Sequence, residues 1–260
     1  MAGILIGLIA GLLGGFLGTG GGVIIVPLMT ETLRFRQHEA HGTSLIAVVF
    51  TSVTGSVIYY LHGSVDLAAA AVLAGMALVT VRFGAKYCCF LPEATLKKYF
   101  GFFLLVVALV FILKPFLPYV MEGVPPIWVR WIALVLLGAL TGFISGMMGV
   151  GGGSFMVPVM VIFAGIAQHI AQGVSLLAMI PASTVGAWTH WQRGNIRASR
   201  LPGLVAGVLT GVFVGASFAH LIPERGLRYV YTALLLYTAL RYLRTKNGAE
   251  VVCTVKEGQG

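Results

Sequence analysis

Apolar residues fill four long segments, at residues 2–33, 42–61, 67–91 and 96–113, and then four more, at 127–166, 173–192, 202–222 and 227–243. Charged residues are largely confined to the short connections between these segments and to the tail at 245–260. Most segments are close to the ~20 residues that carry an α-helix across a bilayer, so the pattern predicts helices throughout. The first and fifth are too long for one simple span. Each is interrupted by a glycine cluster, in FLGTGGGVIIVPLM at 16–29 and in MMGVGGGSFMVPVM at 147–160. Either the chain crosses there as a broken helix, or it enters, turns at the glycines and returns.

The two clusters belong to a longer repeat. Shifted by 131 residues, the chain aligns with itself without a gap: Gly18 with Gly149, Gly20–Gly22 with Gly151–Gly153, and Pro27 with Pro158. Gln37 and His38 fall on Gln168 and His169, Gly42 on Gly173, Ser44 on Ser175, Gly55 on Gly186 and Gly63 on Gly194. The expected organisation is an N-terminal repeat at 1–123, a C-terminal repeat at 124–244, and a polar cytoplasmic tail at 245–260. GILIGLIAGLLGGFLG has the length of a signal-peptide core, but it lacks a basic leader, and a similar pattern returns at 133–146. Both copies are read as structural.

Composition agrees with a polytopic membrane protein. Hydrophobic residues make up 58% of the chain and charged ones 10%, against roughly 25% in a soluble domain. The net charge of +9 sits in loops, as membrane topology requires, so nucleic acid is not an expected partner. The three cysteines, two of them adjacent at Cys88 and Cys89, form no disulfide framework or zinc spacing. No metal or cofactor is expected, and no enzymatic chemistry.

Loop charge also chooses between the two arrangements of the long segments. If every segment crosses once, the basic residues split 8 to 9 between the two sides. If the first and fifth return to the side they came from, the split is 13 to 4, with the richer side cytoplasmic. The returning arrangement gives the two halves opposite orientation. The fold class expected is therefore an all-α polytopic membrane protein of two inverted repeats. Each repeat is a broken helix or re-entrant hairpin plus three transmembrane helices, an organisation typical of secondary transporters.

In that arrangement the glycines reverse the chain near the bilayer centre. The helix restarting after them points unpaired N–H groups, with a partial positive charge, at the midplane. Two such N-termini from opposite faces would bind an anion. The candidate substrate-binding residues are Thr19, Gly20, Gly21, Gly22, Ser44, Gly151, Gly152, Gly153, Ser154 and Ser175. Close helix packing is the competing role for the glycines, and helix capping for Thr19, Ser154, Ser44 and Ser175. His38, His169 and Arg82 are candidates for gating or proton sensing. Against this, both histidines could be polar loop residues at the membrane surface, and Arg82 could snorkel to it. Every carboxylate falls in a loop, at a helix end or in the tail, which favours an anionic over a cationic substrate.

GTGGGVIIVPLM, AHGTSLIAVVFTSVTGSVIYYLHGSVDL with its copy AQGVSLLAMIPASTVGAWTHWQRGNI, and FGAKYCCFLPEATLKKYFG resemble the TauE/SafE family of sulfite and organosulfonate exporters. The resemblance extends over nearly all of residues 1–244. It implies a multi-pass protein of the cytoplasmic (inner) membrane that moves small sulfur-containing anions, most simply outward, by alternating access. Passive anion conduction, or transport of a non-sulfur organic anion, is the alternative. The expected partners are the small anion, the lipid bilayer and a second copy in a homodimer. On a background without native cysteines, a cysteine at position 197 should resist an impermeant maleimide applied outside whole cells. Strong labelling there would overturn the inverted arrangement.

Overall fold

The computed structural model describes residues 2–87, 127–148 and 151–244, with isolated positions between 98 and 112. The expected fourth segment at 96–113, Cys88 and Cys89, Gly149, Val150 and the tail at 245–260 lie wholly or mainly outside the described residues, as does the side chain of His38. All the regular structure described is helical. In chain order the helices are α1 (Ala2–Leu17), α2 (Gly22–Thr32), α3 (Gln37–Leu61), α4 (Leu67–Tyr87), α5 (Ile127–Met148), α6 (Gly153–Phe163), α7 (Gln168–Gln192), α8 (Leu201–Ala219) and α9 (Glu224–Leu243). A 3-10 turn at Ala198–Arg200 leads into α8. The repeat governs the boundaries: α2 and α6, like α3 and α7, start and end at positions exchanged by the 131-residue shift.

Among the described residues five helical stretches are long and apolar enough to cross a membrane: Glu39–Leu61, Leu67–Gly84, Ile127–Gly146, Gln168–Gln192 and Ala198–Ala219. The helices Ala2–Leu17, Gly22–Thr32 and Gly153–Phe163 are apolar but shorter. At 1.5 Å per residue, α1 is about 24 Å long and α2 about 16 Å, neither matching the ~30 Å hydrocarbon core.

Glycine ridges bring α1 and α8 into backbone contact. A Cβ at Gly11 would lie 2.5 Å from the Val208 carbonyl oxygen, and one at Gly15 2.9 Å from that of Val212. From the other side, Gly207 packs on Ile4 and Leu8, and Gly215 on Leu12. Residue numbers rise together along both helices, so the pair is parallel. α5 and α4 repeat the same contact at the shifted positions, with Gly138 against Leu73 and Gly142 against Ala77. Small residues at four-residue spacing let helix backbones approach where lipid supplies no hydrophobic drive for association.

The central pair behaves differently. Gly42, early in α3, packs against Asn195 just beyond the end of α7, while Gly173, early in α7, packs against Ser64 just beyond the end of α3. Between these ends, Gly55 meets Leu176 and Gly186 meets Leu45. Numbers fall along one helix as they rise along the other, so α3 and α7 are antiparallel.

The helices also begin earlier than the apolar pattern indicates. Gln37 and His38, and likewise Gln168 and His169, are the first residues of α3 and α7 rather than loop residues. Ser44 and Ser175 therefore lie two turns inside their helices and are not N-caps. Pro27 is the sixth residue of α2, beyond the first turn.

Adding one methyl at a ridge glycine separates packing from propensity. Gly11→Ala should lower the midpoint of thermal unfolding in detergent, because the new Cβ meets the Val208 backbone, a cost of about 1–3 kcal/mol for overpacking. Gly75→Ala, whose Cβ would have nothing within 4 Å, should leave the midpoint unchanged or raise it.

Candidate functional site

The first glycine cluster reverses the chain. α1 ends at Leu17, the Thr19 N–H bonds back to the Gly14 carbonyl at 3.0 Å, and α2 begins at Gly22. Its N-cap, Gly21, has φ 74°, in the left-handed region that a side chain disfavours. A Cβ on Gly21 would lie 2.6 Å from the Ala10 carbonyl oxygen. The start of α2 is thus folded back against the middle of α1, which a helix continuing across the bilayer could not achieve. The second cluster does the same. Gly152 caps α6 at φ 79° and presses on Thr141, the position equivalent to Ala10. Gly21→Val or Gly152→Val would therefore strain the turn itself as well as any site beside it.

The two turns meet. A Cβ on Gly153 would lie 2.8 Å from Thr19 Cα, so the tips touch backbone to backbone. Gly20 and Gly151, equivalent in the repeat, face the same two side chains, Val48 of α3 and Met179 of α7. Each of these stands near the middle of its 25-residue helix. The tips accordingly converge at half the depth of the antiparallel pair.

What gathers there is a set of donors. Ile24 and Ile25 give their N–H groups to the Gly21 carbonyl, as Phe155 and Met156 do to that of Gly152. The N–H groups of Gly22 and Val23, and of Gly153 and Ser154, precede these and have no acceptor within their own helix. The hydroxyls of Thr19 and Ser154 are buried with no hydrogen-bond partner among the described residues. So are those of Ser52 and Ser183, a further pair matched by the repeat, and Ser183 Oγ lies 3.6 Å from the position of a Cβ on Gly151. Among the described residues, the buried polar ones include no Lys, Arg, Asp or Glu. Any anion held here is met by neutral donors and helix-terminal dipoles.

Other expected site residues are placed differently. Ser44 Oγ donates to the His41 carbonyl at 2.9 Å, within its own helix. Ser175 Oγ is directed at the carbonyls of Gly18 and Gln172, and so ties the second half to the first tip. Tyr59 supports the same tip, with its hydroxyl 3.1 Å from Gln172 Oε1 and 3.2 Å from the Gly15 carbonyl. These side chains brace the turn. The side chain of Arg82 is exposed.

His169 belongs to a cluster at the far end of α3 and the start of α7. Its Nε2 lies 3.1 Å from the Ala219 carbonyl, and its Nδ1 3.7 Å from Glu224. Its ring centroid is 5.6 Å from that of His220, which stacks on His62 at 4.0 Å. Burial, joined by repulsion from the two neighbouring imidazoles, holds His220 below the ordinary histidine pKa despite its bond to the Ala216 carbonyl.

Several hydrophobic spans around two glycine turns with converging helix N-termini define a multi-pass α-helical membrane protein of transporter type. The chain matches the family described as Sulfite exporter TauE/SafE over residues 3–242, and it belongs to that family of membrane transporters. It is 28% identical to the probable membrane transporter protein YdhB of Bacillus subtilis, over 86% of this chain and 89% of that one. Identity to the B. subtilis probable membrane transporter protein YunE is 26%, over 90% and 93% of the two chains. For the probable membrane transporter protein MJ0441 of Methanocaldococcus jannaschii it is 27%, over 74% and 72%. No solved structure matches the chain.

Ser52 and Ser183 were legible from the repeat, because the shift that pairs the glycines pairs them too. Their hydroxyls lack partners, so Ser52→Ala and Ser183→Ala should leave thermal stability unchanged or raise it. Anion binding should weaken, each lost donor being worth about 0.5–1.5 kcal/mol. Thermal shift with and without sulfite reads both effects in one experiment. Loss of stability without loss of the sulfite effect would assign these serines to packing.

Proposed function

We propose that the protein is a secondary transporter that moves small sulfur-containing anions across the cytoplasmic membrane, with export the simplest direction. The site is the junction of the two glycine tips, and access alternates between the two faces around it. The observation that carries this reading is the convergence of two helix N-termini with the buried, partnerless hydroxyls of Thr19, Ser154 and Ser183, where the buried polar residues among those described carry no fixed charge. Such a set of donors suits an oxyanion and offers little to a cation. The family's description as sulfite exporters supplies the substrate class.

Inverted repeats account for the packing. A two-fold axis lying in the membrane plane would map α3 onto an antiparallel α7 and exchange the α1–α8 contact with the α5–α4 contact. Two bundles exchanged by such an axis, one holding α1 with α8 and the other α4 with α5, can rock about a site on it and expose the site to each side in turn.

Proteoliposomes separate this reading from passive conduction. Preloading vesicles with unlabelled sulfite should accelerate uptake of radiolabelled sulfite, and the rate should saturate. Flux that rises linearly with concentration and shows no counterflow would make the protein a channel. Gly153→Ala places its Cβ 2.8 Å from Thr19 Cα without requiring a left-handed backbone, and it should depress counterflow in protein that keeps its size-exclusion profile.

A further inference from the structure

The side chain of Met179 ends where both tips converge. Its Cε lies 2.5 Å from the position a Cβ would take on Gly20, and equally close to that on Gly151. Its Sδ lies 2.7 Å from the corresponding position on Gly153. The residue is fully buried. Three of the site's glycines therefore owe their lack of a side chain partly to this one thioether.

The repeat makes the arrangement unequal. Val48 occupies the equivalent position on α3 and faces the same glycines, at 3.1 Å from a Cβ on Gly20 and 2.8 Å from one on Gly151. Valine is short and stiff at χ1, whereas methionine is unbranched and adapts its shape through three rotatable bonds. One wall of the notch is thus fixed and the other adjustable.

The chemistry of the notch does not match the group that fills it. Ser183 lies one helical turn beyond Met179, with its hydroxyl partnerless among the described residues and 3.6 Å from the position of a Cβ on Gly151. Thr19 and Ser154 add two more partnerless buried hydroxyls at the tips. A thioether is at best a weak acceptor for these donors. An anionic oxygen would satisfy them, and the space beside Gly20, Gly151 and Gly153 where it would meet them is taken by the Met179 side chain.

We propose that Met179 is a specificity-determining residue of the site: a mobile thioether whose displacement admits the anion, and whose remaining bulk limits the substituent the anion carries. This rests on the transport reading given above. A bare oxyanion needs only the methyl to move. An alkylsulfonate must also place its chain, and the thioether competes for that space.

The test is inhibition of sulfite counterflow by methanesulfonate and butanesulfonate in proteoliposomes. Met179→Ala should strengthen inhibition by butanesulfonate about tenfold relative to methanesulfonate, the order expected when a hydrophobic pocket gains room for methylenes. Met179→Phe should shift the ratio the opposite way. If the alanine variant loses its size-exclusion profile, Met179→Val, the residue of the equivalent position, should give a smaller shift of the same sign. Wild-type protein that moves sulfite, with Met179 variants that keep its inhibitor ratio, overturns the Met179 proposal alone. Wild-type protein that moves no sulfite overturns the transport reading, and this proposal with it.

Discussion

A backbone that turns around inside a membrane has to satisfy its own amide groups, because hydrocarbon offers no partners and each unsatisfied group costs several kcal/mol. This constraint organises the rest of the protein. The turns at Gly18–Gly21 and Gly151–Gly152 are not exposed to lipid; each is packed against its own first helix and against the other turn. The side chains around them are spent on the same problem. Tyr59, Gln172 and Ser175 all direct polar atoms at the carbonyls of Gly15, Phe16 and Gly18, where α1 ends. Tyr231 brings its hydroxyl to the carbonyls of Gly153 and Ser154 on the other side. The carbonyls are well supplied with donors, whereas the hydroxyls beside the N-termini are not supplied with acceptors. That imbalance is the feature on which the proposed anion site rests.

Around this centre the packing relies on small residues rather than on large interdigitating ones. The α1–α8 and α5–α4 contacts are glycine against backbone, stiff along the ridge and unforgiving of any added Cβ. The α3–α7 contact is of the same kind at its two ends, with Gly42 on Asn195 and Gly173 on Ser64, and between them it sets leucine methyls against Gly55 and Gly186. Each ridge joins a helix of one half to a helix of the other, so α1 with α8, and α4 with α5, hold together as units.

Much of this was readable in the sequence, because glycine has few reasons to recur in register over a hundred residues. The 131-residue shift predicted the equivalence of α2 with α6 and of α3 with α7, and GTGGG located the first turn. Other features escaped for identifiable reasons. A capping role for Ser44 and Ser175 follows from an apolar pattern that begins at Gly42 and Gly173, but the helices extend further back, to Gln37 and Gln168. Ser52 and Ser183 are paired by the same shift, but a serine inside an apolar helix is equally at home bonded to its own backbone, so the pattern alone gives them no role. The ridge at Gly3, Gly7, Gly11 and Gly15 was hidden by the hydrophobicity of its segment. The meeting of the two tips joins residues far apart in the chain, and no local pattern encodes it.

The absence of fixed charge among the buried polar residues described has an energetic consequence. A carrier that pairs its substrate with a buried lysine or arginine moves a nearly neutral complex. Here the anion would be cradled by dipoles, which stabilise its charge without cancelling it. Its passage would then be electrogenic, and a potential of 100 mV, negative inside, would favour outward movement by about 2.3 kcal/mol per charge. For a dianion the gain doubles. Neutral walls around the tips would leave the membrane voltage itself to set the direction of net flow.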